Sequence, residues 1–360
     1  MSLPSAGRHL AVVTLHLAFV AAPLIVAGCG EGAGEPRRIR LSLILGDNSE
    51  WYQGAVKWKE LVAASTGGRY QVEIIPNAAS SGGDQEAELQ MVRQGQLDAL
   101  LVSTISLSRM EPKWTAFCFP WLFPDHATAN AVCDGPVGEE MLELLRELNL
   151  VGMAYGANGF RQVTNSRRPI HTADDLKGLK IGIPQGLPPE LIGHFGATTL
   201  PVAIGGRHLA LERGEIQGLE DSLSAIHATK LHAVQKHVTI WNMAYEPIVL
   251  CINRDLWYAL PGGDQRILRE CAREAMKAQR QLVAAADEAL PAKLEAEGMT
   301  VTRLSEIDRD AWRAKAQASL REQFEKIVGK DLLARFEAAV REQLEGAKAK
   351  DTEEDAQKAP

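Results

Sequence analysis

The chain has 360 residues, 46% hydrophobic and 24% charged, with a formal net charge of −7. This is ordinary globular composition, long enough for about two domains. The acidic balance argues against a nucleic-acid surface, which calls for clustered Lys and Arg.

In chain order, the first segment reads as a leader rather than as part of a fold. Arg8 supplies positive charge, an apolar run covers residues 10–27, and Val26-Ala27-Gly28-Cys29 follows the pattern of a lipoprotein signal peptide. Cleavage before Cys29 would leave its thiol free to receive lipid, with residues 29–36 as a Gly-rich tether. The alternative is a transmembrane anchor, for which the run is barely long enough. Cys118, Cys133, Cys251 and Cys271 remain, and four cysteines allow three disulfide pairings. Each is flanked by apolar residues, so buried free thiols are equally open.

Residues 38–45 read as a first strand. Trp51, Ala55, Trp58, Leu61 and Val62 recur at helical spacing, and Gly67-Gly68 ends that helix. A strand at 70–75, a polar helix at 84–94 and a strand at 97–103 follow, a rhythm that implies a parallel sheet covered by helices. The aromatic segment 117–124 holds Pro120 and Pro124 and cannot be a regular helix. A helix around 141–148 and a strand at 151–155 close this unit. A second unit opens near Gly159, with strands at 179–183, 199–202 and 216–219 and helices at 189–195 and 207–213. Then come a buried strand at 247–253, a long helix at 265–290 and further helices across 308–344. Residues 346–360 are nearly devoid of apolar side chains and read as a disordered tail. His227, His232 and His237 are spaced by five, which on a helix sets successive imidazoles about 140° apart and builds no metal site. No phosphate loop, Gly-x-Ser-x-Gly elbow or His-Glu-x-x-His motif occurs, so the sequence implies neither an enzyme nor a cofactor.

Three stretches carry a resemblance. Glu88-Leu89-Gln90-Met91-Val92-Arg93-Gln94-Gly95-Gln96-Leu97-Asp98-Ala99 is followed by Phe119-Pro120-Trp121-Leu122-Phe123. The most specific runs Gly159-Phe160-Arg161-Gln162-Val163-Thr164-Asn165, then Arg168-Pro169-Ile170, then Asp174-Asp175-Leu176-Lys177-Gly178-Leu179-Lys180-Ile181. The last is Leu209-Ala210-Leu211-Glu212-Arg213-Gly214-Glu215-Ile216-Gln217-Gly218-Leu219-Glu220. In order and spacing these resemble the solute-binding proteins of TRAP-type transporters, the DctP family, over nearly all of the chain after the leader. The resemblance implies an α/β, two-lobe Venus-flytrap fold with a long helix crossing both lobes. Residues 37–158 plus 247–286 would form one lobe and 159–246 plus 287–345 the other. It also implies a periplasmic protein that captures a small organic solute between the lobes and delivers it to ion-coupled permease subunits; the leader, independently, would hold it at the membrane through Cys29. A ligand sensor for a signalling partner is the competing role.

The resemblance assigns the ligand carboxylate to an Arg at the end of the Leu-Lys-Ile strand, where this chain has Gly182. It also places Asp221 after Glu220 where Asn often contacts ligand, and Gly205-Gly206 where a Ser-Glu pair is common. Three readings are open. Arg161, the one recognisable cationic anchor left, takes the carboxylate. Alternatively, the ligand is neutral or cationic and meets Asp221 or Glu220. Or the glycines enlarge the cleft for a bulkier solute stacked on Trp51, Trp241 and Tyr245. Each residue also has a plainer role: Trp51, Trp241 and Tyr245 as core, Asp221 as a helix cap, Gly182 as close backbone packing.

Overall fold

The computed structural model describes residues 35–358; the leader and Cys29 lie outside the described residues. No described helix is long and apolar enough to cross a membrane. The described residues form ten strands: β1 (Arg37–Leu43), β2 (Tyr70–Ile75), β3 (Ala99–Ser103), β4 (Leu150–Asn165), β5 (Lys180–Ile183), β6 (Thr198–Pro201), β7 (Gly218–Ser222), β8 (His237–Ile240), β9 (Tyr245–Asn253) and β10 (Thr300–Arg303). Their order is β2-β1-β3-β9-β4-β7-β5-β6, with β8 also on β4 and β10 on β8.

The expected βαβ rhythm holds in both halves. Strands β2, β1 and β3 are parallel, as are β6, β5 and β7. In the first half, Ser49 caps the helix Glu50–Ser65 by accepting from Tyr52 N, and Trp51, Ala55, Trp58 and Val62 bury its apolar stripe.

The main departure is β4. The sequence suggested a short strand ending before Gly159, yet β4 runs unbroken through sixteen residues, all buried. Its first part, to Phe160, pairs antiparallel with β9; Arg161–Asn165 then pairs antiparallel with β7. One strand thus belongs to both halves of the sheet. Glycines at 152, 156 and 159 dilute its pattern, and the register against β9 shifts twice. Gly159 sits at the second shift with φ +93°, and a Cβ there would come within 2.8 Å of an Asp287 carboxylate oxygen.

The helix Gly262–Ala296 is 35 residues long, roughly 50 Å at 1.5 Å per residue. It packs first on Glu50–Ser65 and β4 and later on the helix Leu223–Ala228 and β10, crossing both halves. Gln279, fully buried on this helix, donates to Ala157 O and accepts from Ala157 N, both at 2.8 Å. Its side-chain amide satisfies β4 between the two register shifts, as a neighbouring strand otherwise would.

The segment after Cys118 is irregular, as its prolines require. It is buried under the helix Glu306–Val328, where Phe119 meets Phe324 edge-on at 5.2 Å and Gln317 donates to Pro120 O at 2.6 Å. The last helix, Lys330–Lys358, continues through the stretch expected to be disordered. Its Ala, Lys, Glu and Gln are strong helix formers, and extending an existing helix avoids the cost of nucleation. All four cysteines in the described residues are buried and free.

Glu88, on the helix Gln85–Arg93, is fully buried; Ser42 Oγ donates to one carboxylate oxygen and the other has no partner. Burial pushes its carboxyl up to about 7 from an ordinary 4.5. Between those values the folded state keeps a proton that the unfolded chain releases, so stability falls as pH rises through that window, by roughly 3 kcal/mol in all. Glu88→Gln should therefore melt higher than wild type at pH 8, with the difference shrinking or reversing near pH 4.5. Thermal denaturation at the two pH values measures this; an equal offset at both would refute it.

Candidate ligand-binding site

A cleft of about 600 Å³ opens where the two halves of the sheet meet. One wall comes from the first half: Ile44 and Leu45 after β1, Trp51, the turn and helix start at 82–86, Ser103 and Arg109. The opposite wall comes from the second: Pro184 and Gln185 after β5, residues 202–207 and Asp221 of β7. Asn158 and Arg161 of β4 and Glu246 of β9 form the floor.

The floor is one connected polar chain. Trp51 Nε1 donates to Asn158 Oδ1 at 3.0 Å, and Asn158 Nδ2 donates to Glu246 Oε2 at 2.7 Å. Ser103 Oγ and Arg161 Nη1 also donate to Glu246. Arg161, 1% exposed, meets the Glu220 carboxylate through Nε at 2.7 Å and Nη2 at 2.6 Å. Nη2 also donates to Glu220 O at 2.9 Å, and Nη1 lies 3.5 Å from Asp221 Oδ1. Asp221 accepts in turn from Arg207 Nη1 and, at 2.8 Å, from Ser222 N.

Two guanidiniums thus share three carboxylates, all of them buried side chains. Burial would by itself lower the Arg161 pKa, but Glu220, Glu246 and Asp221 more than offset it and hold it well above the ordinary arginine value. Burial pushes the Glu220 carboxyl up to about 7 against the pull of Arg161, with Asp221 and Glu246 pushing the same way. Near neutral pH this carboxyl can hold a proton.

The cleft brings together three of the expected ligand residues, Trp51, Arg161 and Asp221. Glu220 lies behind Arg161, completely buried. Gly182 does not line the cleft: a Cβ there would lie 2.6 Å from Leu219 Cδ2 and 2.7 Å from Ile216 Cδ1, the close packing that favours glycine. Trp241 is core, wedged between Trp121 and Trp312, and Tyr245 is core between Phe123 and Phe160 with its hydroxyl donating to Asn130 at 3.0 Å. Ser222, not Asp221, caps the helix that follows β7. Nor is Arg161 the only cation here, because Arg109 and Arg207 also line the cleft. Glu246 and Arg207 escaped the sequence reading: one is the second residue of a strand already explained by its apolar residues, the other opens a helix. Their only signal was a charged residue at an element end.

His227 and His232 stack at 5.9 Å and both face Glu297, because a left-handed turn at Lys230 interrupts the helix between them. No group of three or more candidate metal ligands forms among the described residues.

Residues 41–327 match the family described as bacterial extracellular solute-binding protein, family 7, or DctP. The chain belongs to this family. It is 33% identical over 303 residues to a solute-binding protein of Verminephrobacter eiseniae, covering 84% of this chain and 89% of that one. It is 31% identical over 284 residues to the 2,3-diketo-L-gulonate-binding periplasmic protein of Escherichia coli, covering 78% and 85%. The crystal structure of a TRAP periplasmic solute-binding protein from Ralstonia eutropha, with bound (S)-2-acetolactate, superposes with a TM-score of 0.78 at 32% identity, covering 85% and 99%. This DctP protein therefore has the two-lobe α/β binding-protein fold and acts in solute capture for TRAP-type transport outside the cytoplasm.

Within this DctP protein Arg161 is foremost a structural cation. Arg161→Ala would leave Glu220, Asp221 and Glu246 facing one another, a buried imbalance that costs about 3–5 kcal/mol. The loss should be smaller at pH 5, where Glu220 takes up a proton, than at pH 8. Denaturant unfolding at the two pH values tests this, and unchanged stability at pH 8 would contradict it.

Proposed function

We propose that this chain captures a small, oxygen-rich organic acid in the cleft between its lobes and hands it to the membrane subunits of a TRAP permease. The observation that carries this reading is the polar chain from Trp51 through Asn158, Glu246 and Arg161 to Asp221, which lines the cleft floor and offers carboxylate acceptors to hydroxyl groups. The relatives support the acid. One is named for binding 2,3-diketo-L-gulonate and another was crystallised with (S)-2-acetolactate, both carboxylates with further oxygens.

We assign residues 37–158 plus 247–286 to one lobe and 159–246 plus 287–345 to the other. The hinge then falls on β4 near Gly159 and on the start of β9, and hinge motion closes the lobes on the ligand. We assign Val26-Ala27-Gly28-Cys29 as a lipidation signal, which would tether the protein to a membrane through Cys29.

A thermal-shift screen against acids, polyols, amines and aromatic solutes tests the capture reading, since a ligand of the folded state raises the melting temperature at saturation. An acid is expected to shift it, and to be recovered unchanged. No shift from any class would sink the reading. Separately, Cys29→Ser should move the protein from the membrane to the soluble fraction; wild type already soluble would dismiss the anchor.

A further inference from the structure

Three guanidiniums line the cleft, and they are not equivalent. Arg161 is saturated, with donors from all three nitrogens directed at Glu220, Glu246 and Asp221. Arg109 stands at the rim, a third exposed, and bridges the two walls by donating to Gln185 at 3.0 Å while pairing with Glu86 at 2.5 Å. Arg207 is different. It is only 5% exposed, and among the described residues Nη1 alone has a partner, Asp221. Its Nε is buried without any hydrogen-bond acceptor.

In a guanidinium the Nε–H and one Nη2–H point the same way and form a two-donor edge that matches the two oxygens of a carboxylate. Arg161 shows this geometry inside the protein, its Nε and Nη2 both resting on Glu220. On Arg207 the same edge carries nothing. A charged donor shut away from water without an acceptor is unfavourable, and an anion placed there removes the defect. Arg207 lines the cleft, and the wall next to it is open: Gly205 and Gly206 precede it there, and a Cβ on Gly205 would meet no atom within 4 Å.

The rest of the floor restricts what that anion can be. Besides Arg207 the charged groups lining the cleft are the carboxylates Asp84, Glu86, Asp221 and Glu246, which accept hydrogen bonds and repel further negative charge, and the cations Arg109 and Arg161, which are already paired. A second carboxylate on the ligand would meet these carboxylates or a cation already paired, whereas hydroxyl groups would donate to the carboxylates.

We propose that Arg207 is the ligand's carboxylate anchor, through its free Nε–Nη2 edge, and that the site selects hydroxylated monocarboxylates over both uncharged polyols and dicarboxylates. This deepens the capture reading and rests on it.

Isothermal titration of the purified protein with matched series tests it. The aldonates from glycerate to galactonate are compared with the corresponding polyols and aldarates, which differ only in carrying one, zero or two carboxylates. An aldonate should bind at least about tenfold more tightly than its polyol and its aldarate. R207Q should weaken that aldonate roughly 100-fold and abolish the preference over the polyol; R207K, which keeps the charge but not the two-donor edge, should fall between. Should R207Q unfold by stranding Asp221, the double variant R207Q/D221N keeps a neutral hydrogen-bonding pair, and the same loss of preference is expected of it. Aldonate affinity unchanged in a folded Arg207 variant would overturn the anchor. Preference for polyols or aldarates, or binding only of solutes from other classes in the broad screen, would overturn the ligand class and leave solute capture standing. No binding in either experiment would remove the capture reading, and this inference with it.

Discussion

The cleft is organised around one buried guanidinium. Arg161 stands on β4 at the point where that strand stops pairing with β9 and starts pairing with β7. Its carboxylate partners come from both neighbours, Glu220 and Asp221 from β7 and Glu246 from β9. Three like charges cannot be buried side by side without a cation between them, and a buried cation needs acceptors for each of its donors. Each requirement answers the other, and together they fix the floor. The hinge proposed on β4 and at the start of β9 lies within this floor, so closure of the walls would pivot about it.

The elements near the floor follow from this. A strand shared by two halves of a sheet must bend and twist, and β4 does so through two register shifts and a left-handed glycine. The backbone groups released there still need partners. The Gln279 amide supplies them from the long helix, which is held against β4 where the strand changes partners. The helix is therefore a structural part of the crossing as well as a brace behind it.

The sequence made the alternating α/β architecture and the long helix legible, because apolar periodicity and Gly or Pro breaks are local signals. The helix at Trp51 and the parallel strands β1, β2 and β3 fall where that periodicity puts them. What was not legible depended on pairing between distant residues. Strand β4 looked like a short strand at 151–155 because its glycines interrupt the pattern that its partners restore. Trp241 and Tyr245 carry the aromatic rings of a ligand wall, but their neighbours turn out to be other rings of the core. Gly182 was legible as an absent side chain, yet the packing of Leu219 and Ile216 around it is a tertiary fact. Arg207 and Glu246 acquire meaning only once β7 and β9 flank β4.

The four buried thiols carry a different kind of consequence. Burial pushes the Cys118, Cys133 and Cys251 thiols well above the ordinary range, so almost none of their reactive anion exists in the folded protein. A protein working in an oxidising compartment with unpaired cysteines is thus protected by its own closure. Once it opens, the same thiols become free to form non-native links, and return to the native state is obstructed. For this chain durability is a matter of time as much as of equilibrium: the rate at which the core opens sets how long its cysteines stay reduced.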